Sequence, residues 1–175
     1  MDENGARFMS HYWATFAELI AAPFEHGPLI WGIVPLYFAL LLNELTSAKA
    51  NFRTAIQTGF SCLWAGAQWL WPYFVPHAAH GRYLELNAML PVNLLVTFLV
   101  LTLGLIALVS GLRKRFPRHA RFLGHTRFAN YFMITIFPIQ AHCLLWTWDR
   151  LLAIAIFAVP VWLVLHFGLM PVRNR

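Results

Sequence analysis

Long apolar stretches alternate with short polar segments along the chain, a pattern typical of proteins whose helices cross a membrane. Five of these stretches have roughly the 17 to 25 residues that a helix needs to cross the hydrocarbon core of a bilayer. They cover about residues 29–45, 54–75, 89–111, 128–147 and 151–170. Only residues 147–150 separate the last two stretches, which predicts a tight helical hairpin at that point.

The segment before the first span, residues 8–22, has helical periodicity but is apolar on one side only. Met9, Tyr12 and Trp13 share the apolar side with later residues, and His11 and Glu18 lie on the other side. This pattern predicts an amphipathic helix that lies along the membrane interface. A helix packed across the ends of the bundle fits the pattern equally well.

The composition supports a membrane protein. Apolar residues make up 59% of the chain and charged residues 11%, whereas a soluble domain usually has about 25% charged residues. The 8 Trp and 15 Phe residues fit a membrane protein with aromatic belts. We therefore predict an all-α integral membrane protein, a single domain over residues 1–175, with five transmembrane helices and an N-terminal amphipathic interfacial helix.

The positive charges predict how this protein is oriented. If the N-terminus lies on side one, side two carries 10 of the 13 Lys and Arg residues. The ten are Lys49, Arg53, Arg113, Lys114, Arg115, Arg118, Arg121, Arg127, Arg173 and Arg175. By the positive-inside rule, side two is cytoplasmic. The N-terminus is then outside and the C-terminus cytoplasmic. A bacterial inner membrane is the expected location, with a mitochondrial membrane as the alternative.

The loop at 113–127 concentrates much of this charge and has two interpretations. Its six basic residues are Arg113, Lys114, Arg115, Arg118, Arg121 and Arg127. In the first interpretation, the loop only orients the protein in the membrane. Alternatively, it contacts anionic lipid head groups, at about 1 kcal/mol per basic residue near the surface, or an acidic partner protein. The interleaved Phe116, Phe122 and Phe128 are not explained by orientation alone.

Polar residues inside the predicted spans mark the side of each helix that faces its neighbours. Such residues usually face the bundle interior or a cavity. At a helical rise of about 1.5 Å per residue, Gln68, Asn93 and His142 lie at similar depths near the outer ends of their spans. They are candidates for one polar pocket, for a lipid head group, a quinone or a small solute. Hydrogen bonding that only packs the bundle is the other interpretation.

Small residues in the second span predict where a neighbouring helix approaches closely. Ala55 with Gly59, and Cys62 with Gly66, are each four positions apart. Paired small residues at this spacing allow two helix backbones to come together in a membrane.

The sequence lacks the motifs of most catalytic and metal sites. It has no His-Glu-x-x-His motif, no glycine-rich phosphate loop and no paired carboxylates within a span. We therefore predict no catalytic residues, no cofactor and no metal. Were a metal present, His77, His80 and His142 would be its candidate ligands. Membrane orientation explains the positive charge, so no nucleic-acid partner is expected.

These observations do not identify a biochemical function. The leading hypothesis is a non-catalytic subunit or scaffold of a larger membrane assembly. Its partners would be membrane lipids and other membrane subunits, or further copies of the chain. The second hypothesis is a small transporter or a lipid- or quinone-binding protein that uses the Gln68, Asn93 and His142 cluster. The third is an intramembrane enzyme of unrecognised type.

Overall fold

The computed structural model describes residues 3–46, 52–74, 89–114 and 127–168. These residues form six helices, and no strand occurs among them. The helices are α1 Glu3–Glu25, α2 Gly27–Thr46, α3 Phe52–Phe74, α4 Leu90–Leu112, α5 Arg127–Gln140 and α6 Trp148–Gly168. The all-helical prediction is confirmed. Helices α2, α3, α4 and α6 begin and end within about three residues of a predicted span.

The predicted count of five transmembrane helices is not supported by helix length and composition. Among the described helices, α4 alone is long and apolar enough by itself to cross a membrane. Helices α1 and α2 meet the requirement of length and hydropathy only when parts of both are taken as one segment, and that segment is bent by 117°. Helix α5 has 14 residues, about 21 Å at 1.5 Å per residue, which is shorter than the roughly 30 Å hydrocarbon core.

Helices α3 and α4 pack closely through small residues. At one end of the pair, Gly111 lies against Phe52 and Ile56; at the other, Leu101 lies against Gly66. This pairing makes the two helices antiparallel. The small-residue stripe predicted on the second span faces α4, because Gly59, Cys62 and Gly66 all meet α4 residues.

Helix α5 is the centre of the described bundle. It contacts α1, α2, α3 and α6, and every residue from 133 to 142 is buried. Its Phe137 is fully buried and packs against the Trp69 ring of α3, with ring centroids 6.3 Å apart. On the α2 side, Phe137 lies against Gly32, where a Cβ atom would come within 2.6 Å of the ring.

Helix α1 packs on the side of the bundle, against α6, α5 and α2. Tyr12, Phe16 and Leu19 are buried on its apolar side, and the Phe16 ring lies 5.6 Å from the Phe157 ring of α6. Glu18, on the polar side, pairs with Arg150 at the start of α6. The predicted amphipathic pattern is therefore present. The helix extends beyond the predicted 8–22 in both directions, and packing on the bundle is the interpretation that describes its contacts.

Candidate functional site

A group of buried polar side chains lies where α3 ends, α4 begins and α5 ends. Asn93, in the first turn of α4, is 3% exposed, and its Oδ1 accepts a hydrogen bond of 2.6 Å from Trp146 Nε1. The Tyr73 side chain at the end of α3 also lies beside Asn93. A short bond between two neutral groups, mostly shielded from water, holds the segment after α5 against the start of α4.

The end of α5 turns His142 into this group. The last residues form a cap in which Ala141 N donates to Phe137 O at 2.8 Å and Cys143 N donates to Pro138 O at 2.9 Å. His142 has a φ of 61°, the left-handed conformation with which many helices end. Its ring is buried and meets the Tyr73 ring edge-on at 5.3 Å.

A second contact joins α4 to α5 at the same end. Thr97 Oγ1 donates to Gln140 Oε1 at 3.4 Å, and both side chains are buried. We call the whole group the end cluster. It consists of Tyr73, Asn93, Thr97, Gln140, His142 and Trp146.

The end cluster contains polar atoms that are buried without a partner among the described residues. Within the cluster they are Tyr73 OH, Gln140 Nε2 and His142 Nε2, and the nearby Trp69 Nε1 of α3 is a fourth. An unpaired buried polar atom costs about 1–3 kcal/mol. The Trp and Gln nitrogens are donors, and an imidazole nitrogen can donate or accept. The arrangement therefore suits a bound group that carries hydrogen-bond acceptors, such as water or a carbonyl.

The three predicted pocket residues occupy two different places. Asn93 and His142 both belong to the end cluster. Gln68 is half-buried and faces α2, with its Oε1 3.4 Å from where a Cβ atom of Gly32 would lie. Trp64, on the same side of α3, donates from Nε1 to Gly32 O at 3.1 Å. The structure thus directs Gln68 towards α2, while α3 contributes Tyr73 to the end cluster.

Tyr73, Gln140 and Trp146 are not among the residues that the sequence pattern predicts for this site. Tyr and Trp residues near span ends also occur as interfacial aromatic residues, so their presence alone does not indicate a buried role. Gln140 could have been identified as a candidate from the sequence. It is an amide within an otherwise apolar segment, two positions before His142.

The basic residues predicted for lipid or partner contact are only partly described. Arg113 and Lys114 follow α4 and are exposed. Arg127 is the first residue of α5. Arg115, Arg118 and Arg121 lie outside the described residues.

The candidate metal ligands are not brought together in the described part of the chain. His77 and His80 lie outside it, and His142 is in the end cluster. Among residues 3–46, 52–74, 89–114 and 127–168, no three His, Cys, Asp or Glu side chains are grouped so as to hold a metal ion.

A separate apolar cavity of about 460 Å³ lies beneath α1. Helices α1, α2, α5 and α6 each contribute to its walls. The lining residues are Trp13, Phe16, Ala17, Ile20, Ala21, Phe24, Tyr37, Leu40, Tyr131, Ile134, Thr135, Ala158 and Val161.

Comparisons of the whole chain with protein families, with curated proteins and with solved structures found no match.

Proposed function

We propose that this chain is a polytopic integral membrane protein that acts as a non-catalytic subunit or scaffold of a larger membrane assembly. Helices α2, α3, α4 and α6 form four of its spans. Helix α5, continued by residues 141–147, forms the fifth, and α1 packs on the side of the bundle against α6, α5 and α2. The N-terminus is outside, and the C-terminus is cytoplasmic in a bacterial inner membrane.

The uncovered face of α4 is the observation that carries this proposal. Helix α4 packs mainly on α3 through its small residues, and its other sides expose large apolar side chains. These are Val92, Leu94, Leu95, Phe98, Leu99, Leu103, Leu105, Ile106, Val109 and Leu112. So large an apolar surface is unfavourable in water, but it suits contact with lipid or with the helices of a partner.

Aromatic and charged residues at one end of the bundle support the outer boundary. Trp31 near the start of α2, Trp71 near the end of α3 and Trp148 at the start of α6 are 79%, 56% and 81% exposed. Tryptophan is enriched at membrane interfaces. The ion pair between the exposed Glu18 and the half-buried Arg150 lies at the same end, where charged side chains reach water.

Cysteine labelling tests the orientation. In a variant with Cys62 and Cys143 replaced by Ala, Thr147→Cys and Lys114→Cys each introduce one thiol at an exposed position. A membrane-impermeant maleimide applied to cells with a permeabilised outer membrane should label Thr147→Cys. It should label Lys114→Cys only after the inner membrane is opened. The reverse pattern would refute the proposed topology.

Copurification tests the proposed role. The tagged chain, produced at its native level in its own host and extracted in mild detergent, should carry a partner protein at a fixed stoichiometry. Leu99→Ala and Phe98→Ala on the open face of α4 should weaken that association, while Phe38→Ala on the exposed face of α2 is the matched control. A partnerless monomer or homodimer would count against a subunit role.

The end cluster favours one alternative, a transporter or a lipid- or quinone-binding protein. Its support is the set of buried nitrogens that lack partners, on Trp69, Gln140 and His142. Native mass spectrometry of the wild type should then detect a bound small molecule that is lost from His142→Leu and retained by Gln68→Leu, whose side chain faces α2. Equal spectra from all three proteins would refute this alternative.

A further inference from the structure

The cavity beneath α1 opens to the surroundings beside that helix. Trp13 and Phe24 line it and are 54% and 49% exposed. Ala17 and Ala21 lie between them and are also exposed. Because these two side chains are small, they leave a gap in the wall, so the cavity is accessible from the side of the bundle.

The walls of the cavity provide very little for a polar ligand to bind. Three of the lining side chains other than Trp13 carry a polar atom: Tyr37, Tyr131 and Thr135. The Thr135 hydroxyl donates to Phe132 O at 2.8 Å within its own helix. The Tyr37 ring packs on the Phe24 ring at 5.8 Å. Nearly all of the surface that faces the cavity is apolar, so it offers few partners to a water molecule, which needs two to four.

We propose that this cavity binds one hydrocarbon chain of a membrane lipid. The inference rests on the proposed membrane location, because hydrocarbon surrounds the bundle only there. The volume of about 460 Å³ lies within the roughly 300–1,000 Å³ typical of small-molecule sites, which are lined mostly by apolar side chains. A flexible chain enters past Ala17 and Ala21 and packs against the rings of Phe16 and Tyr37. The chain belongs either to a phospholipid or to an isoprenoid quinone, which share this chemistry.

Lipid retained by the purified full-length chain tests the proposal. The protein is extracted in mild detergent, washed extensively, and its lipids are extracted and quantified by mass spectrometry. Wild type should retain about one lipid per chain. Ala158→Leu fills the cavity from α6 and Ala21→Leu fills its opening from α1, and each should lower retention at least several-fold. The masses distinguish a phospholipid from a quinone.

Matched controls place the same added volume outside the cavity. Ala155→Leu on α6 and Ala14→Leu on α1 alter exposed alanines that do not line it, and both should retain lipid as the wild type does. Ala158 is buried, so Ala158→Leu also adds strain. Ala21 is exposed, so lipid retention by Ala21→Leu still tests the proposal if Ala158→Leu fails to fold.

Two results would overturn the proposal. One is a wild type that retains no lipid after washing; the other is Ala21→Leu retaining as much lipid as Ala14→Leu. Carbonate extraction of membranes separates this failure from failure of the proposed membrane location. A chain that stays in the carbonate-washed membrane but holds no lipid refutes the cavity site alone, whereas release into the supernatant refutes the membrane location as well.

Discussion

Gly59 of α3 and Gly104 of α4 bring the two helix backbones into direct contact. A Cβ atom at Gly59 would lie 2.8 Å from Gly104 O, and one at Gly104 would lie 3.1 Å from Gly59 O. Helix α4 makes most of its described contacts with α3. The position of α4 in the protein therefore depends on two residues that have no side chain.

Enlarging Gly59 should separate α3 from α4. Besides the Gly104 contact, a Cβ atom at Gly59 would lie 2.6 Å from Leu108 N, and a backbone atom cannot move aside as a flexible side chain can. We expect Gly59→Val to destabilise the protein by about 1–3 kcal/mol, the usual cost of overpacking. Unfolding of the purified protein by SDS in mixed micelles measures this change.

Gly5→Ala is the matched control for this substitution. Nothing lies within 4 Å of a Cβ atom at Gly5, so the added methyl group meets no neighbour. Gly5 lies in the first turn of α1, so its replacement should change the stability by less than the roughly 0.5–1 kcal/mol of a helix interior. A Gly59→Val protein as stable as Gly5→Ala would show that the α3–α4 contact is not close in solution.

The bond between Trp146 and Asn93 should appear as an energetic coupling. A double-mutant cycle of Asn93→Leu and Trp146→Phe isolates the interaction free energy of the 2.6 Å hydrogen bond. Interhelical hydrogen bonds in membrane proteins contribute about 0.6–2 kcal/mol, and we expect coupling in that range. The control cycle pairs Asn93→Leu with Trp148→Phe, because Trp148 is 81% exposed. Equal coupling in the two cycles would contradict the contact.

Helix α3 illustrates how much of the site the sequence predicts. Its period places Trp64 and Gln68 on one side, which meets Gly32 of α2, and Gly59, Cys62 and Gly66 on another, which meets α4. Helical rise gives the approximate depth of each residue along its own helix. The direction in which each side points depends on where the neighbouring helices lie, and that is a property of the whole bundle. Tyr73, five residues further along α3, lies beside Asn93, whereas Gln68 faces α2.

The end of α5 shows a different limit. The apolar stretch continues to Trp146, and on hydropathy alone the fourth span was predicted to reach 147. The helix ends at Gln140, because backbone hydrogen bonds from Cys143 and Leu144 both return to Pro138 O. His142 then takes a positive φ. Apolar composition indicates burial in a membrane or a core, but it does not distinguish a helix from a buried capping turn.

The left-handed conformation of His142 predicts an unusual order of stability among its variants. At a φ of 61°, a β-branched residue is strained, whereas Asn adopts this region readily. Both variants lose the ring contact with Tyr73, and we expect the backbone strain of Val to exceed the cost of burying the Asn amide among other polar side chains. We expect His142→Asn to be about 1–2 kcal/mol more stable than His142→Val, the approximate left-handed penalty. Thermal unfolding in detergent, followed by circular dichroism, measures the difference.

Phe132 offers the control for that order. It lies within α5 and is exposed, so the backbone there is helical and the side chain is not packed in the core. Val and Asn have similar helix propensities. Phe132→Asn and Phe132→Val should therefore differ far less in the same detergent than the two His142 variants do. If His142→Val were as stable as His142→Asn, the turn after α5 would not have the described conformation.

The ion pair between Glu18 and Arg150 should contribute little by itself but respond to salt. Glu18 Oε1 and Arg150 Nη2 are 3.0 Å apart, and the Glu18 side chain is 47% exposed, so solvent screens the attraction. We expect Glu18→Gln to cost less than about 1 kcal/mol, with a smaller cost at high ionic strength. Arg150→Met should cost more, because Arg150 Nη1 also donates to Leu145 O at 2.8 Å and so holds the turn before α6.

Glu25→Gln is the control for Glu18→Gln, because Glu25 is an exposed carboxylate at the end of α1. It should show neither the loss of stability nor the response to salt. A salt-independent loss of more than about 2 kcal/mol in Glu18→Gln would mean that the pair is shielded from solvent and that α1 packs more deeply than its contacts indicate.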